Sequence, residues 1–176
     1  MAINIFDISD WSSGDSYVTN SIVAWPAGST TYWYSTVDNA SNGGDAPSLS
    51  NPNWAGRIAI DNGEFPKFIW IPSYDIEKKI DAKVKQIQYG EGYRQVVSDG
   101  INNTLLEIPL SFDGRDTYEA AAIIHFLTAR QGGETFIYIP PSPYAAVKKW
   151  KVFAWSDTQP FYDNFNIKTT FIEVLV

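Results

Sequence analysis

The sequence predicts a mainly β protein with a single helix, and three observations carry that expectation. Seven Trp, ten Tyr and ten Phe stand among 176 residues, accompanied by many Thr, Ile and Val, the side chains that suit a pleated, half-buried surface. Short apolar runs recur along the chain, separated by clusters of Gly, Pro, Asn and Asp that act as turns. Only residues 116–130 show apolar positions at convincing helical spacing.

Taken in order, residues 21–25 and 30–35 are short apolar pieces in a segment, 1–56, otherwise dense in Ser, Asn, Gly and Asp; they read as two or three short strands joined by turns. Phe68-Ile69-Trp70-Ile71 reads as a strand stopped by Pro72. Residues 84–89 alternate apolar and polar side chains as a strand with one solvated face would, and Gly90-Glu91-Gly92 ends it. A strand at 105–112 leads into the helix. There Asp116 is placed to accept from the free backbone donors, with Glu119 completing a capping box. Ala120, Ile123, Ile124 and Leu127 make its apolar stripe, and Gly132-Gly133 stops it. Strands at 135–139, 149–155 and 166–174 follow, the last placing Ile167, Thr169, Phe171 and Glu173 on one face.

Composition excludes more than it identifies. The chain has no cysteine and therefore neither a disulfide framework nor a thiolate metal site. Its formal charge of −7 argues against binding nucleic acid through phosphate neutralisation. Five acids face Arg57 alone within residues 1–60, whereas acids and bases are nearly balanced beyond, which suggests two segments with separate histories. No secretory signal and no apolar run of membrane-spanning length is present, so a soluble product without a membrane partner is expected.

No catalytic constellation stands out. His125 is the only histidine and falls inside the predicted helix beside apolar neighbours, which favours a structural role. The acids are scattered, without the pair that a polysaccharide hydrolase would hold across a cleft. Gly90-x-Gly92 is too short to cradle a phosphate and reads as a tight turn. Lys78, Lys79, Lys83 and Lys85 are interrupted by Asp81 and preceded by Glu77, as on a solvated strand face. The expectation is a protein without enzymatic turnover, metal or cofactor.

The run Lys83-Val84-Lys85-Gln86-Ile87-Gln88-Tyr89-Gly90-Glu91-Gly92-Tyr93-Arg94-Gln95, followed by Asp99-Gly100-Ile101-Asn102, resembles the minor tail protein M family of bacteriophages with long non-contractile tails. The downstream order agrees: Phe126-Leu127, Gly132-Gly133, Phe136-Ile137-Tyr138-Ile139-Pro140-Pro141, Lys149-Trp150-Lys151-Val152 and Phe171-Ile172-Glu173-Val174. The resemblance implies a tail-tube-like β-sandwich or barrel with one flanking helix over residues 57–176. It also implies a ring at the distal end of the tail tube, six copies by analogy, touching the tube protein and the tip or hub proteins. The place would be the virion tail, after synthesis in the host cytoplasm. Tyr89, Gly90, Glu91, Gly92, Tyr93 and Gln95 would then form a structural turn.

Residues 1–56 carry a second resemblance. Trp11, Tyr17, Ile22-Val23, Tyr32-Trp33-Tyr34, Val37-Asp38-Asn39, Pro47 and Trp54 are similar in order to small carbohydrate-binding modules of the type found in chitinases. This implies a three-stranded accessory module in which Trp25, Trp33 and Tyr34 are candidates for stacking on a sugar ring, with Asn and Asp bonding its hydroxyls. The competing reading has Trp11, Tyr32 and Trp54 simply filling a small core. Two functions stay open at this point: a structural ring subunit carrying an outward module, or an adhesin for a host-surface glycan anchored to the tail by its C-terminal domain.

Overall fold

The computed structural model describes residues 5–29, 31–38, 46–48, 50–55, 65–73, 79–82, 84–89, 92–98, 104–130, 132–143 and 145–174. In chain order these form β1 (Ile22–Ala24), β2 (Tyr32–Ser35), β3 (Trp54–Ala55), β4 (Lys79–Ala82), β5 (Val84–Gln88), β6 (Arg94–Ser98), β7 (Thr104–Arg115), α1 (Thr117–Arg130), β8 (Phe136–Tyr138), β9 (Lys148–Phe161) and β10 (Asn164–Glu173). The strands make a three-stranded sheet, β1-β2-β3, a five-stranded antiparallel sheet, β4-β7-β10-β9-β8, and a two-stranded ribbon, β5-β6. The mainly β expectation holds. Among the described residues the larger sheet is open, with β4 and β8 at its edges, and does not close into a barrel.

The core lies between this sheet and α1. Ile108, Leu110 and Phe112 from β7, Trp150 and Val152 from β9, and Ile167 and Phe171 from β10 are buried beneath Ile123, Phe126 and Leu127 of the helix. The alternation expected in β10 is present, with Ile167, Thr169 and Phe171 all buried. At its end Glu173 accepts from the backbone N–H of Leu106 at 3.1 Å and pairs with Lys148, which ties β10 to strands on both sides.

Phe68 enters this core from an unexpected kind of segment. Residues 65–73 are not a ladder strand but an extended stretch meeting β8 through one parallel bridge, Lys67 to Ile137. The Phe68 N–H donates to the Ile137 carbonyl, and the Ile137 N–H to the Pro66 carbonyl, each at 2.8 Å. Proline on both sides, at 66 and 72, keeps the stretch short, yet Phe68 and Trp70 are buried as alternation requires. The Phe68 ring touches those of Trp70, Phe112, Phe126, Phe136, Tyr138 and Phe171, at centroid distances of 5.0 to 6.3 Å.

The helix begins nearly as its sequence indicates, with one difference. The Asp116 carboxylate accepts from the Glu119 N–H at 2.8 Å, but the Glu119 side chain pairs with Arg115, also at 2.8 Å, and the reciprocal half of the capping box is missing. A second acceptor replaces it: Asp163, at the β9–β10 turn, takes hydrogen bonds from the Thr117 N–H and hydroxyl. Gly132, with φ of +69°, ends the helix, and the N–H groups of Gly133 and Glu134 return to the Arg130 carbonyl.

Burial along α1 exceeds the stripe that its spacing shows. Ala121, Ala122, His125, Phe126 and Arg130 are buried as well: Ala122 and Phe126 belong to the main core, and His125 is covered by rings of the N-terminal sheet. β2 supplies those rings. Its Trp33 joins Tyr17, Val23 and Trp54 in a small core belonging to the N-terminal sheet, with Trp11 and Trp25 packed against it. The neighbouring Tyr34 points the other way, into the main core, as successive strand residues must. There its hydroxyl and His125 Nδ1 share a hydrogen bond of 2.9 Å, while the Tyr32 ring stands edge-on to His125 at 4.7 Å. A second tie runs from the Trp70 indole N–H to the Asn20 side chain, 3.0 Å.

These contacts give two expected outcomes. Tyr34→Ala should lower unfolding free energy by about 3–5 kcal/mol, the range for truncating a buried aromatic ring, and should speed hydrogen exchange in α1; unchanged helix exchange would mean that the N-terminal sheet is not coupled to it. Burial first, and the Arg130 guanidinium second, push the His125 imidazole down from 6.5 to about 4. Since the folded-state value is the lower one, the neutral ring's contribution is complete above about pH 6.5 and is lost as pH falls towards 4, because the unfolded chain takes up a proton that the folded chain refuses. At about 1.4 kcal/mol per pKa unit, roughly 3 kcal/mol should disappear across that window. Urea titrations at pH 7 and pH 4.5 check it: His125→Gln should flatten the difference, and an unaltered difference would assign the loss to other groups.

Candidate functional site

Two features of the described residues stand apart from the packed core: the β5–β6 ribbon and the aromatic surface of the N-terminal sheet.

β5 follows β4 after one residue, and β6 leads back towards β7, so the ribbon continues a hairpin whose base is the β4–β7 pair. Among the described residues nothing beyond that base covers it. Every residue of β5 is exposed, which differs from the expected strand with one buried face. By alternation Lys85, Ile87 and Tyr89 share a face with Tyr93, Gln95 and Val97, and Val84 shares the other with Val96. The six apolar or aromatic members of these faces are 44 to 66 per cent exposed. A lone two-stranded hairpin is marginal in water, and one that displays aliphatic side chains on both faces has surface to lose on contact with a neighbour.

The tip of the ribbon is the turn that the sequence singles out. The Tyr89 N–H donates to the Tyr93 carbonyl at 2.9 Å, the Tyr89 hydroxyl to Gln95 Oε1 at 3.1 Å, and the two tyrosine rings lie 5.8 Å apart. Gly92 has φ of +82° with open space around it, so glycine is required there by backbone conformation and not by crowding. Gly90, Glu91 and the 99–102 step lie outside the described residues. β6 has no signature of its own in the sequence, since Arg94-Gln95-Val96-Val97-Ser98 follows a glycine break and has no alternation. Its pairing with β5, from Val84 to Ser98 through Gln88 to Arg94, was legible only as a hairpin around that break.

The aromatic candidates of the first segment divide. Trp33 is 6 per cent exposed and Tyr34 wholly buried; the Trp33 indole N–H donates to the Trp25 carbonyl at 3.1 Å, and neither ring has a face free for a pyranose. Both are corrected from stacking candidates to core residues, since β2 is covered on both sides. Trp25 alone keeps part of its ring in solvent, edge-on to Trp11 at 4.9 Å. Trp54 and Tyr17, at 5.4 Å from each other, belong to the small core. His125 is a core histidine bonded to Tyr34, and among the described residues no cluster of His, Asp or Glu is gathered as metal ligands.

Known proteins bear on this arrangement. A curated relative, "Tail tip protein M" of Escherichia phage N15, is 35% identical over 71 residues, which make up 40% of this chain and 58% of the relative. The match therefore spans less than two thirds of that protein. Among solved structures, one chain of "Tail of empty GTA particle computed with helical refinement, C6 symmetry" superposes with a TM-score of 0.41 and 14% identity, over 60% of this chain and 79% of that one, a likeness too loose to bear on assembly. Residues 66–175 match the family profile described as "Phage minor tail protein". That span takes in the segment carrying Phe68, the ribbon, α1 and the whole five-stranded sheet, and the chain belongs to the phage minor tail protein family.

Proposed function

We propose that the chain is a non-catalytic subunit of the tail tip that closes into a ring, in which the β5–β6 ribbon of each copy lies against its neighbour. The observation that carries this reading is the ribbon itself: exposed aliphatic and tyrosine side chains on a hairpin that no other described residue supports beyond the base. Burying such surface against a second copy supplies both the hydrophobic gain and the order that an isolated hairpin lacks. By the family resemblance the ring has six members and sits between the tube and the tip or hub proteins, its work being mechanical.

In this reading the N-terminal sheet is a bracket on α1, held by Tyr34, Tyr32 and the Asn20–Trp70 bond. Burial of Trp33 and Tyr34 withdraws two of the three rings that a glycan adhesin would use, so the adhesin reading rests on Trp25 alone. Trp25→Ala should leave binding to host-surface glycans, read on an array, unchanged; a lost signal would restore that reading.

The ring is tested on the ribbon face. Ile87→Lys combined with Val97→Lys removes apolar contact at two exposed positions, and the free chain should keep its melting temperature within a degree or two. Each interface should lose at least about 2 kcal/mol, the scale of an interface hot spot, seen by electron microscopy as tails that fail to complete. Complete tails in normal number would remove the ribbon from assembly.

A further inference from the structure

At the far end of β9 two aromatic side chains stand in solvent. Phe161 is 75 per cent exposed and Tyr162 is 96 per cent exposed, on a turn that is held firmly. Asp163, with φ of +53°, follows them, and its carboxylate accepts from the Thr117 N–H at 2.8 Å and from the Thr117 hydroxyl at 2.6 Å. The tip is thereby fixed to the start of α1. A turn anchored in this way costs little backbone order on binding, and exposed aromatic side chains are frequent interface anchors.

At the other end of the same strand the surface is hollow. A cleft of about 240 Å³ runs between residues 67–72 and the end of β8, lined among others by Lys67, Ile69, Ile71, Tyr138, Ile139 and Pro141. It falls below the roughly 300–1,000 Å³ of small-molecule pockets, and its size suits one or two side chains. Ile71 and Ile139 are left 77 and 42 per cent exposed at its mouth. Tyr138 lines the cleft from below and is 4 per cent exposed, its hydroxyl closed to solvent. Acidic residues lie towards the tip, Asp163 next to it and Asp157 four positions back along β9, while Lys67 lines the cleft and the Lys149 ammonium lies over the Phe65 ring at 4.3 Å.

We propose that Phe161 and Tyr162 of one subunit seat in the cleft beside β8 of the next copy. The proposal rests on the ring reading and names the surfaces that meet. Tip and cleft are different patches at opposite ends of β9, Tyr138 pairing with Lys148 at its start and Phe161 closing it. A contact between them is head-to-tail, the kind that generates rings. The chain leaves its own tip exposed, so the occupant is a second molecule, and the acidic residues towards the tip are opposite in charge to the lysine that lines the cleft.

The natural sequence has no cysteine, which permits a direct test. Tails are assembled from a mixture of two single-cysteine chains, Tyr162→Cys and Ile139→Cys, both substituted at exposed positions, and then oxidised. A disulfide dimer joining the two variants, absent when either is used alone, is the expected result. Complete tails that yield only monomers or Tyr162→Cys self-dimers would overturn the seating while leaving the ring intact. If a lysine-reactive cross-linker recovers only monomers from complete tails, the ring reading itself falls, and the seating with it. Should the cysteine mixture give no tails, Lys67→Glu and Asp157→Lys serve instead: each alone should reduce tail yield and the two within one chain should restore it, and failure to restore would sink the proposal.

Discussion

Between β2 and α1 a tyrosine hydroxyl meets an imidazole in a space closed to water, and much of the architecture depends on that meeting. The hydrogen bond satisfies two polar groups that would otherwise be buried unpaired. Because it joins Tyr34 to His125 it also makes the N-terminal sheet part of the helix's surroundings. A helix resting on one sheet could keep an outward polar face; here His125 is buried too. The small sheet therefore belongs to the packing of the larger one while keeping a separate core of Tyr17, Val23, Trp33 and Trp54.

Phe68 plays a similar joining part from the opposite side. It arrives on a stretch too short and too proline-bounded to make a ladder, yet its ring contacts β7, α1, β8 and β10. An aromatic cluster of this kind, with most pairs tilted or edge-on, adds geometric preference to area burial. The family match begins at residue 66, two positions before this ring.

The sequence made the regular part of this fold legible and the irregular part much less so. Where one face of an element is buried and the other is wet, as in β10 with Ile167, Thr169 and Phe171, periodicity reports burial directly. It fails where both faces share one fate. β6 and the outer half of β9, from Ser156 to Phe161, are solvated on both sides and carry no alternation to read. β2 is buried on both sides, so Tyr32-Trp33-Tyr34 gives no sign of which ring faces which core. That Tyr34 would meet His125, 91 positions away, could not be inferred from spacing, and for this reason two stacking candidates proved to be core. The cap at Thr117 shows the same limit on a smaller scale: Asp116 is a local signal, whereas Asp163 is brought in by the β9–β10 turn.

In the ring we propose, the ribbon would give assembly a threshold. A hairpin exposed on both faces holds its shape weakly while it is alone, so a first contact between two copies would have to order it as well as bury it, and part of the binding energy would go into that ordering. Each later copy would meet a ribbon already fixed by its neighbour, and the smallest partial rings would then be the least favourable states on the path.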